Sequence, residues 1–364
     1  MIAFSRRWLR RGILYFFLPI TIALVALVIA LRLWILPNID NWRDDIATSI
    51  SQSAEQKVTL GKLTVDWEGW HPQLRIQQLR VYDKDNRPAL LLMDVHTTLS
   101  WTSLFRGELR LANLAIDDLI LSIHRTQDGI IYIAGIAVTQ KQDSSAFTDW
   151  LLKQRQIQIN HATMSWQDDQ RQAPLFVARE VNINLTNRGK LHQFHITAIP
   201  PTMVAHPLDL RGEFRGTSLS QLSKWTGNLS LNVERTDLAQ WQPWVKLPLG
   251  ITRGFGNINL QLQIAQKQII AVTSNSSIHQ LSLQLASTLP RLNLIDLSGQ
   301  VKWRRLGAAQ SIDLNNISLR TSDFLHISPF DFSLRYAPAT TSAAAIGDIS
   351  TDGMWLQTLA RLAP

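Results

Sequence analysis

Read for alternation of apolar and polar positions, the chain changes character near residue 54. Ahead of that point apolar residues run together or recur every three or four positions; beyond it they recur every two. Gly12 to Leu31 is an unbroken uncharged run. At about 1.5 Å per residue such a helix is about 30 Å long, the depth of a bilayer's hydrocarbon core. Pro37-Asn38 ends it. Ile39, Trp42, Ile46 and Ile50 then recur at helical spacing, which predicts a short amphipathic helix over 39–54 capping the next domain.

Strand patterning follows. Leu63, Val65 and Trp67 alternate with Lys62, Thr64 and Asp66; Leu74 and Ile76 alternate with Arg75 and Gln77; Leu79 and Val81 continue one residue out of phase. The same slip recurs between Leu109/Leu111, Leu114/Ile116 and Leu119/Leu121/Ile123, with Asn113 and Asp118 at the junctions. A one-residue slip either turns the strand over or is absorbed by a bulge, and repeated bulges suit a twisted, curved sheet. Gln127-Asp128-Gly129 predicts a turn into a strand at Ile130–Ile133, and a helical stretch is expected over 147–155. Strand signals resume at Ile157/Ile159, Met164/Trp166, Val181/Ile183/Leu185, Phe194/Ile196, Leu208/Leu210 and Leu229/Leu231/Val233. They continue at Ile258/Leu260/Leu262/Ile264, Leu281/Leu283/Leu285, Ile312/Leu314, Ile317/Leu319 and Phe330/Phe332/Leu334. Short helical pieces are expected over 219–225, 238–244 and 355–363, and a loop over 340–345.

The expected fold is mainly β: an N-terminal transmembrane helix, then a long, twisted, curved antiparallel sheet with few helices. Roughly fifteen one-sided strands have too few helices to cover one face. That face must be buried by a second sheet, by closure into a barrel, or by something other than protein. Alternation alone does not say which, and the closed sandwich or barrel is the ordinary solution. Residues expected to line the face are Leu74, Ile76, Leu109, Leu111, Ile183, Leu185, Leu208, Leu210, Leu229, Leu231, Leu260, Leu262 and Leu283.

Charge sets the topology. Arg6, Arg7, Arg10 and Arg11 precede the apolar run, so the positive-inside bias holds the N-terminus in the cytoplasm and sends the bulk of the chain across. Trp8 and Trp34 stand where interfacial anchors belong. A cleaved signal would have a shorter apolar core and a small-residue cleavage site; this run closes on Leu31-Arg32-Leu33-Trp34-Ile35. The segments expected are 1–12 as a cytoplasmic tail, 13–36 as the anchor, 37–145 and 146–335 as two stretches of β-structure, and 336–364 as a loop and the start of a further segment.

Of 364 residues, 45% are apolar, enough for a large core. The net charge of +8 hints at nucleic acid, but residues 1–39 hold five arginines and no acid, leaving about +3 for the remainder. That remainder has no dense basic stripe with interleaved aromatics, so nucleic acid is not an expected partner. The absence of cysteine excludes disulfides, thiolate catalysis and cysteine-bound metals.

Catalytic chemistry is not expected either. His192 and His195 are the closest histidine pair among nine, and on a strand their odd spacing puts them on opposite faces. The doublets Asp44-Asp45, Asp117-Asp118 and Asp168-Asp169 diverge in the same way and suit turns or helix starts. Gly254-Phe255-Gly256 lacks the third glycine and the lysine of a phosphate loop. No nucleophile elbow or zinc helix occurs. No enzyme activity, metal or cofactor is expected. Trp241 and Trp244 are expected to pack on a sheet edge or staple a rim, as aromatics mostly bury area.

Several stretches nonetheless carry a family pattern. Trp70-His71-Pro72-Gln73-Leu74-Arg75-Ile76, Asp94-Val95, Leu99-Ser100-Trp101, Ser103-Leu104, Gly107-Glu108-Leu109-Arg110-Leu111, Ile123-His124-Arg125 and Asp128-Gly129 resemble the N-terminal region of AsmA-like proteins. Met164-Ser165-Trp166-Gln167-Asp168, Ala173-Pro174-Leu175, Asp209-Leu210-Arg211-Gly212-Glu213-Phe214, Trp241-Gln242-Pro243-Trp244 and Gly299-Gln300-Val301-Lys302-Trp303 resemble the YhdP branch, which usually has Arg where Gln167 stands. The resemblance implies a bridge-type lipid-transfer protein: a curved sheet whose concave face is a hydrophobic groove for phospholipid acyl chains. By that resemblance it is anchored in the inner membrane, lies in the periplasm and carries lipid towards the outer membrane. It implies phospholipid, and other envelope proteins, as partners. The other reading is an envelope-assembly scaffold whose closed sandwich binds protein. Such proteins run several times longer, and some fifteen strands stack to only roughly 70 Å, so the chain is expected to be the N-terminal portion of a longer protein or a truncated gene product.

Overall fold

The computed structural model describes residues 18–19, 22–23, 26, 29–54, 57–68, 71–82, 88–99, 111–133, 136–137, 152, 154–201, 204, 206–247, 250–284, 288–322, 325–338 and 345–352. Eleven of the 24 residues of the expected anchor over 13–36 lie outside this set, as do Arg6, Arg7, Trp8, Arg10 and Arg11. The described Leu18, Ile22 and Ile29 are helical and 50, 59 and 52% exposed. Among the described residues no helix is long and apolar enough to cross a membrane.

The helical lead-in changes gauge as it descends. A π-turn, Leu31–Ile35, passes into a 3₁₀ segment, Leu36–Trp42, and then into α1, Arg43–Ala54. Pro37 lacks the N–H an α-helical ladder needs there, and Asp44 and Asp45 suit the positive first turn of α1. Ile39, Ile46, Ala47 and Ile50 pack on Val58, Leu60, Leu63, Leu74 and Ile76. The expected cap is therefore present, built from two helix types.

The strands in chain order are β1 Val58–Thr59, β2 Lys62–Glu68, β3 His71–Tyr82, β4 Pro88–Leu99, β5 Leu111–Asp117, β6 Ile120–Arg125, β7 Ile131–Ile133, β8 Ile136–Ala137, β9 Gln156–Asp168 and β10 Ala173–Arg188. They continue as β11 Leu191–Ile199, β12 Leu208–Arg215, β13 Thr226–Asp237, β14 Arg253–Ala265, β15 Gln268–Leu283, β16 Leu292–Leu306, β17 Ala309–Thr321, β18 His326–Ala337 and β19 Ile346–Asp352. All 19 form one sheet. From β9 onward each strand pairs antiparallel with the next.

One joint differs. β5 and β6 lie end to end against β4, and β9 runs parallel to both. The sheet thus crosses the expected boundary at 145/146 unbroken. β1 and β2 likewise lie end to end on β3. Among the described residues β1 and β2 do not pair with β19, so no barrel closes, and no second sheet lies over the first. The closed sandwich or barrel is corrected to an open sheet.

Left-handed residues interrupt the strands at Gln78, Asp118, His161, Glu180, Arg235 and Asn316, with φ between 45 and 55°. Through the strand register they fall close to one transverse line. Non-glycine residues adopt this conformation at a cost, and a recurring clamp offsets it. The His161 N–H donates to Asn182 Oδ1 at 3.1 Å, the Arg235 N–H to Asn257 Oδ1 at 2.8 Å, and the Asn316 N–H to Asp331 Oδ1 at 2.7 Å. Such bulges bend a strand and sharpen its twist. They also keep the apolar side chains on one face through the phase slips: Gln78 between Ile76 and Leu79, Asp118 between Ile116 and Leu119.

The first edge is guarded. Asp40 Oδ1 accepts the Leu63 N–H at 2.9 Å, Ser51 Oγ accepts the Val58 N–H at 2.8 Å, and Arg43 Nη1 donates to the Gly61 carbonyl at 3.2 Å. Edge groups satisfied in this way cannot recruit a foreign strand.

Candidate functional site: one apolar face across the sheet

Cross-strand register assembles the scattered strand signals into continuous rows. One row runs Leu63, Ile76, Val95, Ile116, Ile159, Ile183, Ile196, Leu210, Leu231, Leu260, Ser274, Val301, Leu314, Phe332, each opposite the next. Beside it runs Val65, Leu74, Thr97, Leu114, Ile157, Leu185, Phe194, Gly212, Leu229, Leu262, Val272, Trp303, Ile312, Leu334. Strand pleating puts both rows on the same face. At about 4.8 Å per strand they extend for about 60 Å.

The reverse face is polar with the same regularity. Asn182, Thr197, Asp209, Asn232, Asn259, Asn275, Gln300 and Asn315 stand in one row. Gln300 Nε2 donates to Asn275 Oδ1 at 2.8 Å, and Asn315 Nδ2 to Gln300 Oε1 at 3.3 Å. The next row holds His195, Arg211, Ser230, Gln261, Thr273, Lys302, Asp313 and Ser333.

Exposure separates the apolar face into two lengths. Towards β2, Leu63, Val95 and Ile157 are buried at 2, 5 and 5%. From β10 to β18, no apolar side chain of the two rows is fully buried; all are half-buried or, at Val301, 39% exposed. Ten of the expected lining residues stand here or in the first rungs: Leu74, Ile76, Ile183, Leu185, Leu208, Leu210, Leu229, Leu231, Leu260 and Leu262 share this face. Leu283 shares it too but is buried at 6%, packed with Leu281, Leu294 and Leu319. Leu109 lies outside the described residues; Leu111 is placed in β5, its side chain outside them.

A family model described as YhdP protein matches residues 1–364. The chain belongs to the YhdP family. Searches of curated proteins and of solved structures returned no match.

In this YhdP-family chain the face is closed off along its lower margin, where β9, β11 and β13 end. The 3₁₀ turn Leu238–Trp241 and the residues after it run back from β13 to β10. Trp241 Nε1 donates to Thr236 Oγ1 at 2.7 Å and Trp244 Nε1 to the Pro174 carbonyl at 2.8 Å; both rings pack on Phe176, at 5.9 and 5.2 Å. The two tryptophans are thus a staple. Beside them Asp168, 1% exposed, is held by Arg125 and by the Arg171 N–H. Burial works to raise the Asp168 carboxyl, but those hydrogen bonds and charges outweigh it and hold it below the usual carboxylate range.

At the opposite, upper margin, His192 stacks on Trp225 at 5.1 Å and bonds Asn187 Oδ1 at 2.7 Å. His195 stands on the reverse face, 3.1 Å from Asp209. The doublet Asp168-Asp169 splits likewise, Asp169 meeting His124 at 2.7 Å. Among the described residues no group of three His, Asp or Glu is placed to hold a metal. Sequence reading missed β4, β16 and β19 altogether and most of β15, and with them Val95, Val272, Val301 and Trp303.

Proposed function

We propose that the chain is an inner-membrane-anchored periplasmic element that carries phospholipid acyl chains along its apolar face towards the outer membrane, without covalent chemistry. The observation that supports this most is the pair of apolar rows running from β10 to β18, whose side chains are only half-buried. An uncovered face of this length is costly in water and marks an interaction surface. Each methylene moved from water onto it gains about 0.8 kcal/mol, so two acyl chains offset the exposure many times over. Near-uniform side chains along the rows also favour sliding: Ile, Leu and Val recur at every rung, so no single position becomes a deep trap. The polar reverse face, with its amide ladder, stays solvated.

Membrane attachment follows from the 12–31 run and the arginines before it, and α1 then docks on the first rungs. The face therefore begins beside the bilayer. Gentle purification of the full chain, followed by lipid extraction and mass spectrometry, tests the proposal. Co-purifying phospholipid is expected; a chain free of lipid and unable to take it up would count against it.

A further inference from the structure

Resting on the reading that lipid tails lie along the apolar face, the charge on its upper margin points to a class of head group. Between β9 and β17 this margin carries Arg155, Lys190, Lys224, Lys267 and Arg305, all exposed. Arg155 has the inward parity of Ile157 and Ile159. Arg305 has that of Val301 and Trp303, its guanidinium 5.7 Å from the Trp303 ring centre. The three lysines sit on the connections after β10, β12 and β14. The acids of this margin, Glu213 and Asp313, are already engaged by Arg215 and Arg304 at 3.8 and 3.0 Å.

The lower margin is different in kind. Asp168, Asp237 and Asp296 alternate there with Arg171, Arg253 and Arg320, and Arg320 is bonded to Asp296. With Asp169, Lys246 and Arg291 on the same margin, five cations there face four acids, within one charge of balance; the upper margin keeps a clear cationic excess. With strands about 4.8 Å apart, the upper cations recur roughly every 10 Å, close to the screening length at physiological salt. A phosphate sliding along that margin leaves one cation's field only as it enters the next.

We propose that the upper margin is a rail for anionic head groups, so that the face selects lipids of net negative charge, such as phosphatidylglycerol, over zwitterionic phosphatidylethanolamine. The full chain, with a photo-crosslinking residue in place of Leu231, is placed in vesicles holding the two lipids in equal amounts, and adducts are weighed. Adducts enriched roughly fivefold in phosphatidylglycerol are expected at low salt. The ratio should fall towards that of the vesicle at about 0.5 M salt, and in the exposed variant K190Q/K224Q/K267Q/R305Q, with total lipid little changed. A native ratio equal to the vesicle's, or enrichment that survives the four substitutions, overturns the rail. Equal adducts at Gln261 on the reverse face would also overturn it, since the cations would then be holding a bilayer surface. No lipid adduct at Leu231 in the native chain would instead overturn the acyl-chain reading beneath it.

Discussion

Leu231 and Leu260 stand directly opposite one another on β13 and β14, and one residue along, Asn232 and Asn259 stand opposite one another on the reverse face. This pairing is the molecule in miniature. Register carries the same choice of face from strand to strand, so a weak alternation in each segment becomes a band crossing the sheet. A slip of one residue would put the leucines among the amides.

The bulge line needs close backbone approach at Gly256, beside the left-handed Arg235. A Cβ there would lie 2.0 Å from the Ser277 carbonyl oxygen and 2.8 Å from the Ile278 Cα. Backbone atoms cannot step aside as a side chain can. Gly256→Ala is expected to destabilise the sheet by about 1–3 kcal/mol, read as a lowered urea midpoint. Gly307→Ala, where a Cβ meets nothing but φ is +66°, should cost about 1 kcal/mol.

Asp168 couples the lower margin to pH. Its folded pKa is depressed, so its contribution is complete above the unfolded value of about 3.9 and is lost as pH falls through the folded value. Acid unfolding of this region is expected only below about pH 4. Removing the carboxylate strands Arg125 beside Trp166; Asp168→Ala should cost about 3 kcal/mol at neutral pH and flatten the acid limb. Thermal scans from pH 3 to 7 would show both effects, and an unchanged acid limb would refute the assignment.

The edge guards at α1 should be separable from the core. Asp40→Ala and Ser51→Ala each free a strand N–H and should cost about 1 kcal/mol. Hydrogen exchange at Leu63 and Val58 should quicken while amides of β13 and β14 stay protected. Uniform loss of protection would mean that α1 supports the whole sheet.

Much of this was legible in the sequence because period-two alternation survives wherever one face is apolar. The slips at Gln78 and Asp118 announced bulges, and the Trp241/Trp244 pair announced a staple. β15 was hidden because Ser274 and Ser276 stand on the apolar face and break the alternation. β16 was hidden because Lys302, Arg304 and Arg305 outweigh Val301 and Trp303. Openness was not legible at all: alternation states which side chains share a face, never what lies opposite. Nor was the parallel joint of β9 with β5 and β6, which rests on pairings far apart in the chain.

A photo-crosslinking residue placed in turn at Leu229, Ser230, Leu231, Asn232, Leu260, Gln261 and Leu262 of the full chain in membranes tests the central claim most directly. Lipid adducts are expected at Leu229, Leu231, Leu260 and Leu262 and absent at Ser230, Asn232 and Gln261. Adducts to polypeptide at the leucines, or lipid without regard to face, would contradict it.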